Sequence, residues 1–174
     1  MSDNVYLGNP NLKKANTPIE FTEEQIIEFV QCQRDPVYFA NKYVKIVSLD
    51  EGLVPFKPYR FQEKLITNFH ENRFNICKMP RQTGKSTTVV SYLLHYAVFN
   101  DSVNIGILAN KAATARELLG RLQTAYENLP KWMQQGIIAW NKGSLELENG
   151  SKILAASTSA SAVRGMSFNI LFLD

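Results

Sequence analysis

Cysteine is scarce in this chain: two in 174 residues, Cys32 and Cys77. That excludes a disulfide framework and points to a reducing compartment. Cys77, inside a mostly apolar run, is expected to be a buried small hydrophobe. Long apolar runs are missing too. A helix that crosses a membrane needs about 18 such residues, and no stretch supplies them. The opening MSDNVYLGNPNLKK has no apolar segment of the kind a signal peptide carries. Charge of one sign is also lacking. With 19 basic and 16 acidic residues the net charge is +3, too even to argue for nucleic acid from composition. No internal repeat or low-complexity run is present. What remains is 45% hydrophobic and 20% charged, the make-up of one soluble domain with a real core.

The stretch that organises the rest is FNICKMPRQTGKSTT, residues 74–88. Phe74 to Met79 has the length and apolarity of a strand. Pro80 to Gly84 is punctuated as a loop. From Lys85 the apolar residues Val90, Leu93, Leu94 and Val98 recur at helical spacing. Strand, loop and helix with Gly-Lys-Ser at the joint is the layout of a phosphate-binding loop. Backbone N–H groups and the positive end of a helix hold a triphosphate there. Gly84 lets the backbone approach, Lys85 can bridge the β- and γ-phosphates, and the Ser86 hydroxyl can ligate Mg²⁺. The full pattern asks for a Gly five residues before Gly84. Met79 stands there, so the loop is a deviant form. The bland alternative is a helix N-terminus with a solvated Lys.

A second element supports the first. Ile170-Leu171-Phe172-Leu173-Asp174 is four apolar residues followed by an acid. The run reads as a strand buried on both faces of a parallel sheet, with Asp174 emerging at the carboxyl edge where ligands sit. Such an Asp can share the Mg²⁺ that Ser86 touches. Upstream, a helix is expected from near Tyr59. Gln62 offers a donor and an acceptor that match N6 and N7 of adenine, and Tyr59 or Phe61 can cover the base with a ring. A surface Gln beside two core aromatics is the plainer reading.

Elsewhere, Thr22 to Gln25 resembles a capping box before a helix over about 23–33, and Pro36 opens another. Val44 to Val47 and Leu53 to Phe56 are expected to pair across a turn. Val103 to Leu108 reads as a strand, and Ala112 to about Asn128 as a helix, which implies a parallel crossover. Leu129 to Met133 is expected to end that helix and begin a short one. Ser144 to Glu148 and Ser151 to Ala155 flank Asn149-Gly150, a hairpin with an expected type I′ turn. Arg164 either senses a neighbouring subunit's phosphate or pairs with a carboxylate; both readings stay open.

Arg81-Gln82-Thr83-Gly84-Lys85-Ser86 resembles the deviant Walker A of large terminase subunits, the packaging motors of tailed double-stranded DNA bacteriophages. The run from Trp140 to Asp174 is similar to the T-even-like branch. The resemblance covers roughly residues 30–174. It implies a P-loop NTPase of the ASCE or RecA-like kind: an α/β fold, a parallel sheet with flanking helices, incomplete at the C-terminus, plus a small N-terminal helical region and a β-hairpin. On that view 1–20 is a flexible arm, 21–55 a helical or lid region, and 56–174 a partial ATPase domain ending at the Walker B Asp. The resemblance further implies ATP and Mg²⁺ as cofactors. Arg81 would act in cis on the γ-phosphate, beside a catalytic Lys85. Phe61, Gln62, Gln82, Thr83, Gly84, Lys85, Ser86 and Thr87 would hold nucleotide, and Ser86 and Asp174 the metal.

In that family a catalytic Glu follows the Asp, a strand later in the chain inserts between the Walker A and Walker B strands, and a nuclease half comes after. None lies within these 174 residues, so the chain alone is expected to bind ATP weakly and hydrolyse little. The implied partners are double-stranded DNA, the portal protein, the small terminase subunit and sister subunits in a ring. No membrane is involved, and the implied setting is the host cytoplasm. A superfamily-2 helicase-like ATPase also uses an upstream Gln and a P-loop, but its loop lacks an Arg three before the Gly. A non-hydrolysing nucleotide-binding fragment is the third reading.

Overall fold

A computed structural model describes residues 4–48, 50–159, 163 and 165–174. Arg164 and residues 160–162 lie outside the described residues.

The helix after the glycine loop, Lys85–Phe99, is apolar on nearly every side, from Val89 and Val90 through Leu93, Leu94, Ala97 and Val98. A helix of that pattern must be enclosed, and four other helices and a sheet enclose it. In chain order these are α1 (Glu23–Arg34), α2 (Pro36–Tyr43), the hairpin of β1 (Lys45–Ser48) and β2 (Gly52–Pro55), α3 (Arg60–Glu71), α4 itself, β3 (Asn104–Ala109), α5 (Ala112–Glu127), β4 (Ile137–Trp140), β5 (Ser144–Leu147), β6 (Lys152–Ser157) and β7 (Ile170–Leu173). The capping box at α1 forms as expected: Gln25 N–H donates to the Thr22 hydroxyl, and Thr22 N–H donates to the Gln25 amide. Asp35 caps α2 by accepting from the N–H groups of Val37 and Tyr38. The residues expected to pair near 44–56 do so as antiparallel β1 and β2.

Five strands form one sheet in the order β4-β5-β6-β3-β7. The strands β6, β3 and β7, the last of them at the sheet's edge, are parallel, with Ile105 opposite both Ile153 and Ile170. The strands β4 and β5 join antiparallel. The sheet is therefore mixed rather than parallel throughout. Short connections impose this, because a tight turn can join only antiparallel neighbours. The strand β4 was not foreseen, and Lys131–Met133 is a turn rather than a helix.

Four further expectations are corrected. Residues 74–79 form no strand; Phe74 is 82% and Ile76 100% exposed. An extended run has no ladder bonds of its own. Here β7 lies across a cavity of about 590 Å³ instead of against it. For the same reason β7 is not buried on both faces: Leu171 and Leu173 are largely exposed, and Cys77 is only partly covered. The hairpin at Asn149-Gly150 forms, but its turn is not type I′. Gly150 is left-handed at φ 81°, whereas Asn149 is not among the positive-φ residues. The Asn149 amide instead donates to Ala97 O and Asn100 O, pinning the turn to the end of α4.

The N-terminal segment departs most from expectation. Residues 9–16 dock along β4 and the end of α5 instead of forming a loose arm. Leu12 is buried, Ile137 N–H donates to Lys13 O, and the Gln134 side chain bonds both Lys13 N–H and Asn11 O. Glu148 ties the two sides together. It pairs with Lys13 at 2.7 Å and accepts from Gly136 N–H at 2.6 Å and Asn16 N–H at 2.8 Å. Burial alone would raise this carboxyl; Lys13 and the two N–H groups hold it below the ordinary range. The docked segment also covers what would be an open sheet edge. A Cβ on Gly136 would strike the Ala15 backbone and lie 2.5 Å from Glu148 Oε2. Gly136→Ala is expected to cost about 1–3 kcal/mol, the range for overpacking. It should also expose the amides of Lys13 and Asn16 to hydrogen exchange. Unchanged protection at both amides would contradict the packing argument.

Candidate functional site

The glycine loop is built from inside the chain. Gln82 and Gly84 both take left-handed backbone, at φ 62° and 73°. Alternation of this kind curls successive N–H groups into a concavity suited to an anion. Thr83 Oγ1 donates to Pro80 O at 3.0 Å and closes the turn. The first ladder bond of α4 is Thr88 N–H to Gly84 O. The N–H groups of Lys85, Ser86 and Thr87 therefore precede the ladder and stay open at the positive end of the helix. Buried Thr88 also donates its hydroxyl to Gly84 O at 3.0 Å. Thr88 was not among the sequence candidates, and its place one turn beyond Gly84 is the signal that locates it.

Helix α3 fixes the other side of the loop. Gln62, in its first turn, is buried, and its Nε2 faces Thr83 O and Gly84 O at 3.4 Å each. Beside it the rings of Tyr59 and Phe61 stack at 5.9 Å with 10° between planes, and both remain exposed. Nothing in local sequence pattern reveals the bond between Gln62 and the loop, because the partners stand 21 and 22 residues apart.

Asp174 reaches the same region. Its N–H donates to Leu108 O, so the residue continues the β7 register at the carboxyl end of the sheet. The cavity noted above is lined by Lys85 from α4 and by Asp174, with Tyr92, Tyr96 and His70 on its walls. Burial pushes the Tyr92 phenol up to about 12, so it is a neutral wall at ordinary pH. Arg81 and Gln82 are exposed; Thr83, Lys85, Ser86 and Thr87 are half-buried. Among the described residues, no ion pair involves Arg81, Lys85 or Asp174. Their charges are thus open to a ligand. A hydroxyl and one carboxylate suit Mg²⁺, which keeps much of its water and takes phosphate oxygens for the rest.

These features define a mixed α/β protein whose glycine loop opens α4, with Lys85 and Asp174 lining one cavity. The family described as "Terminase large subunit, T4likevirus-type, N-terminal" matches residues 76–174, more than half of the chain, and the protein belongs to that family. The fold is similar to that in the crystal structure of the HK97 bacteriophage large terminase, with a TM-score of 0.66 at 18% identity. That match covers 82% of this chain and 30% of the other, so this chain spans under a third of that protein's length. Among the described residues, no helix is long and apolar enough to cross a membrane.

Proposed function

We propose that residues 56–174 are part of the ATP-binding unit of a phage DNA-packaging motor. The observation that carries this reading is that Lys85 and Asp174, from the start of α4 and the end of β7, line one cavity beside the glycine loop. The open N–H groups of Lys85, Ser86 and Thr87 would donate to the β- and γ-phosphate oxygens. Lys85 would neutralise them, and Phe61 would lie by the base. Arg81, exposed and unpaired among the described residues, would donate to the γ-phosphate as charge builds on it. Ser86 and Asp174 would hold Mg²⁺, which when bound offsets phosphate charge. Family membership supports the wider setting: double-stranded DNA as cargo, the portal and the small terminase subunit as partners, sister subunits in a ring, and the host cytoplasm as the place of work.

Calorimetric titration of the 174-residue chain with ATP and Mg²⁺ tests the site. Binding is expected, and Lys85→Ala should weaken it by about tenfold or more, the loss of one charge-assisted contact. A chain that takes up no ATP at millimolar concentration, or a Lys85→Ala variant that binds as tightly as the parent, would refute the proposal.

A further inference from the structure

Helix α1 turns one face inward and leaves the other uncovered. On the inner side Cys32 is buried, Phe29 packs edge-on against Phe99, and the Gln33 amide donates to Phe99 O. On the outer side Ile26 and Ile27 are 52% and 68% exposed, and with Val30, Gln31, Arg34 and Asp35 they line a groove. Asp35 is committed to capping α2. Within this face Glu23, Ile27, Val30 and Arg34 follow at steps of four, three and four, the spacing of a seam between paired helices. Apolar residues hold the middle of the seam and opposite charges its ends. Among the described residues, neither Glu23 nor Arg34 forms an ion pair. The seam is also its own mirror. About its midpoint, between Glu28 and Phe29, Ile27 matches Val30, Glu23 matches Arg34, and Ile26 matches Gln31. Two antiparallel copies would set each Ile27 against a Val30 and each Glu23 against an Arg34. A parallel pair would put like charges together at both ends.

We propose that the outer face of α1 is a contact surface for a second copy of this chain, seated antiparallel about a two-fold axis. The charge pattern selects that occupant, because it complements itself only when reversed. A contact of this kind uses the same patch on both partners, so it closes on two chains and does not propagate into a ring. It is small. The helix has 12 residues, about 18 Å of length. A seam that short buries far less than the about 1,600 Å² of a standard interface, so the dimer is weak and reversible. The surface lies against Phe99, at the end of α4 opposite the glycine loop, and does not depend on that loop's ligand.

The test is sedimentation of the full 174-residue chain in low salt, from about 10 μM to about 1 mM. A monomer–dimer equilibrium is expected, and it should weaken as salt screens the end charges. Glu23→Arg and Arg34→Glu should each weaken the dimer by about tenfold or more, since each sets like charges together at both ends of the seam. An equal mixture of the two variants should recover it as a heterodimer, because one chain then carries only Arg and the other only Glu at the paired positions. The doubly exchanged chain should recover it as a homodimer. Circular dichroism checks that each variant folds. If Glu23→Arg loses α1, Ile27→Asp, at an exposed position, should abolish the dimer without touching the core. A chain that stays monomeric up to about 1 mM overturns the proposal and leaves the face to a different partner. A mixture that stays monomeric overturns the antiparallel seating. A dimer that ignores Ile27→Asp and the charge exchange, as one held through the edge strand β7 would, overturns the choice of surface.

Discussion

Replacing Gly84 by alanine should abolish triphosphate binding and lower the melting temperature together. Two independent penalties converge on this residue. Its backbone is left-handed at φ 73°, where a Cβ costs roughly 1–2 kcal/mol. The new Cβ would also lie 2.5 Å from Gln62 Nε2, so the amide must leave its two carbonyls. Losing a buried donor's partners costs about 1–3 kcal/mol more. The sum, roughly 2–5 kcal/mol, corresponds to a fall of about 5–15 °C for a chain of this size. Gly84 O also anchors Thr88 through its N–H and its hydroxyl. Any shift of the loop therefore loosens the first turn of α4, whose open N–H groups are the proposed phosphate contacts. Differential scanning calorimetry and ATP titration of the same sample check both effects. A variant that melts like the parent and binds ATP equally well would show that the loop does not need its left-handed hinge.

Acid should destabilise the protein well before its carboxylates titrate, through His95. The ring, carried on α4, is buried among Phe39, Phe99 and Tyr92, with His70 edge-on at 6.1 Å. Nε2 lies 2.9 Å from Cys32 O and, as the protonated nitrogen, donates to it; buried Nδ1 has no partner among the described residues. Burial, reinforced by His70 and opposed by the Cys32 carbonyl, lowers its pKa from 6.5 to about 4. The unfolded chain takes up a proton below pH 6.5, and the folded one resists until about 4. Stability from this group is thus complete above 6.5 and is lost as pH falls toward 4. At about 1.4 kcal/mol per unit the loss approaches about 3 kcal/mol. Glu148, held below the ordinary carboxylate value of 4.5, adds its loss only in more acid solution, so the two windows separate. Urea midpoints between pH 7 and 4.5 should fall steadily in the parent and stay flatter in His95→Gln. A parent with no slope in that range would contradict the assignment.

The glycine loop, the helix behind it, the strand ending at Asp174 and the hairpin were legible in the chain. Each is announced by neighbouring residues: Gly-Lys-Ser at a joint, apolar spacing along a helix, four apolar residues and an acid, Asn-Gly between alternating runs. Family membership could be read for the same reason, since the resemblance rested on those local motifs. The details that failed depend on partners far away in sequence. Phe74 to Met79 has a strand's composition, but a strand exists only where another chain segment completes its ladder. Leu12 and Lys13 look like part of a polar tail until Gln134, Gly136 and Glu148 are brought beside them.

By itself, the order of residues determined which short segments curl or turn, and which of them carry the motifs that place the chain in its family. Those properties arise from backbone conformation and side-chain type within a few residues. Only the tertiary structure decided that the sheet is mixed, that the N-terminal segment closes its edge, and that Gln62 spends its amide on the loop. The last two depend on hydrogen-bond partners about 20 to 130 residues away, and local pattern carries no record of such meetings.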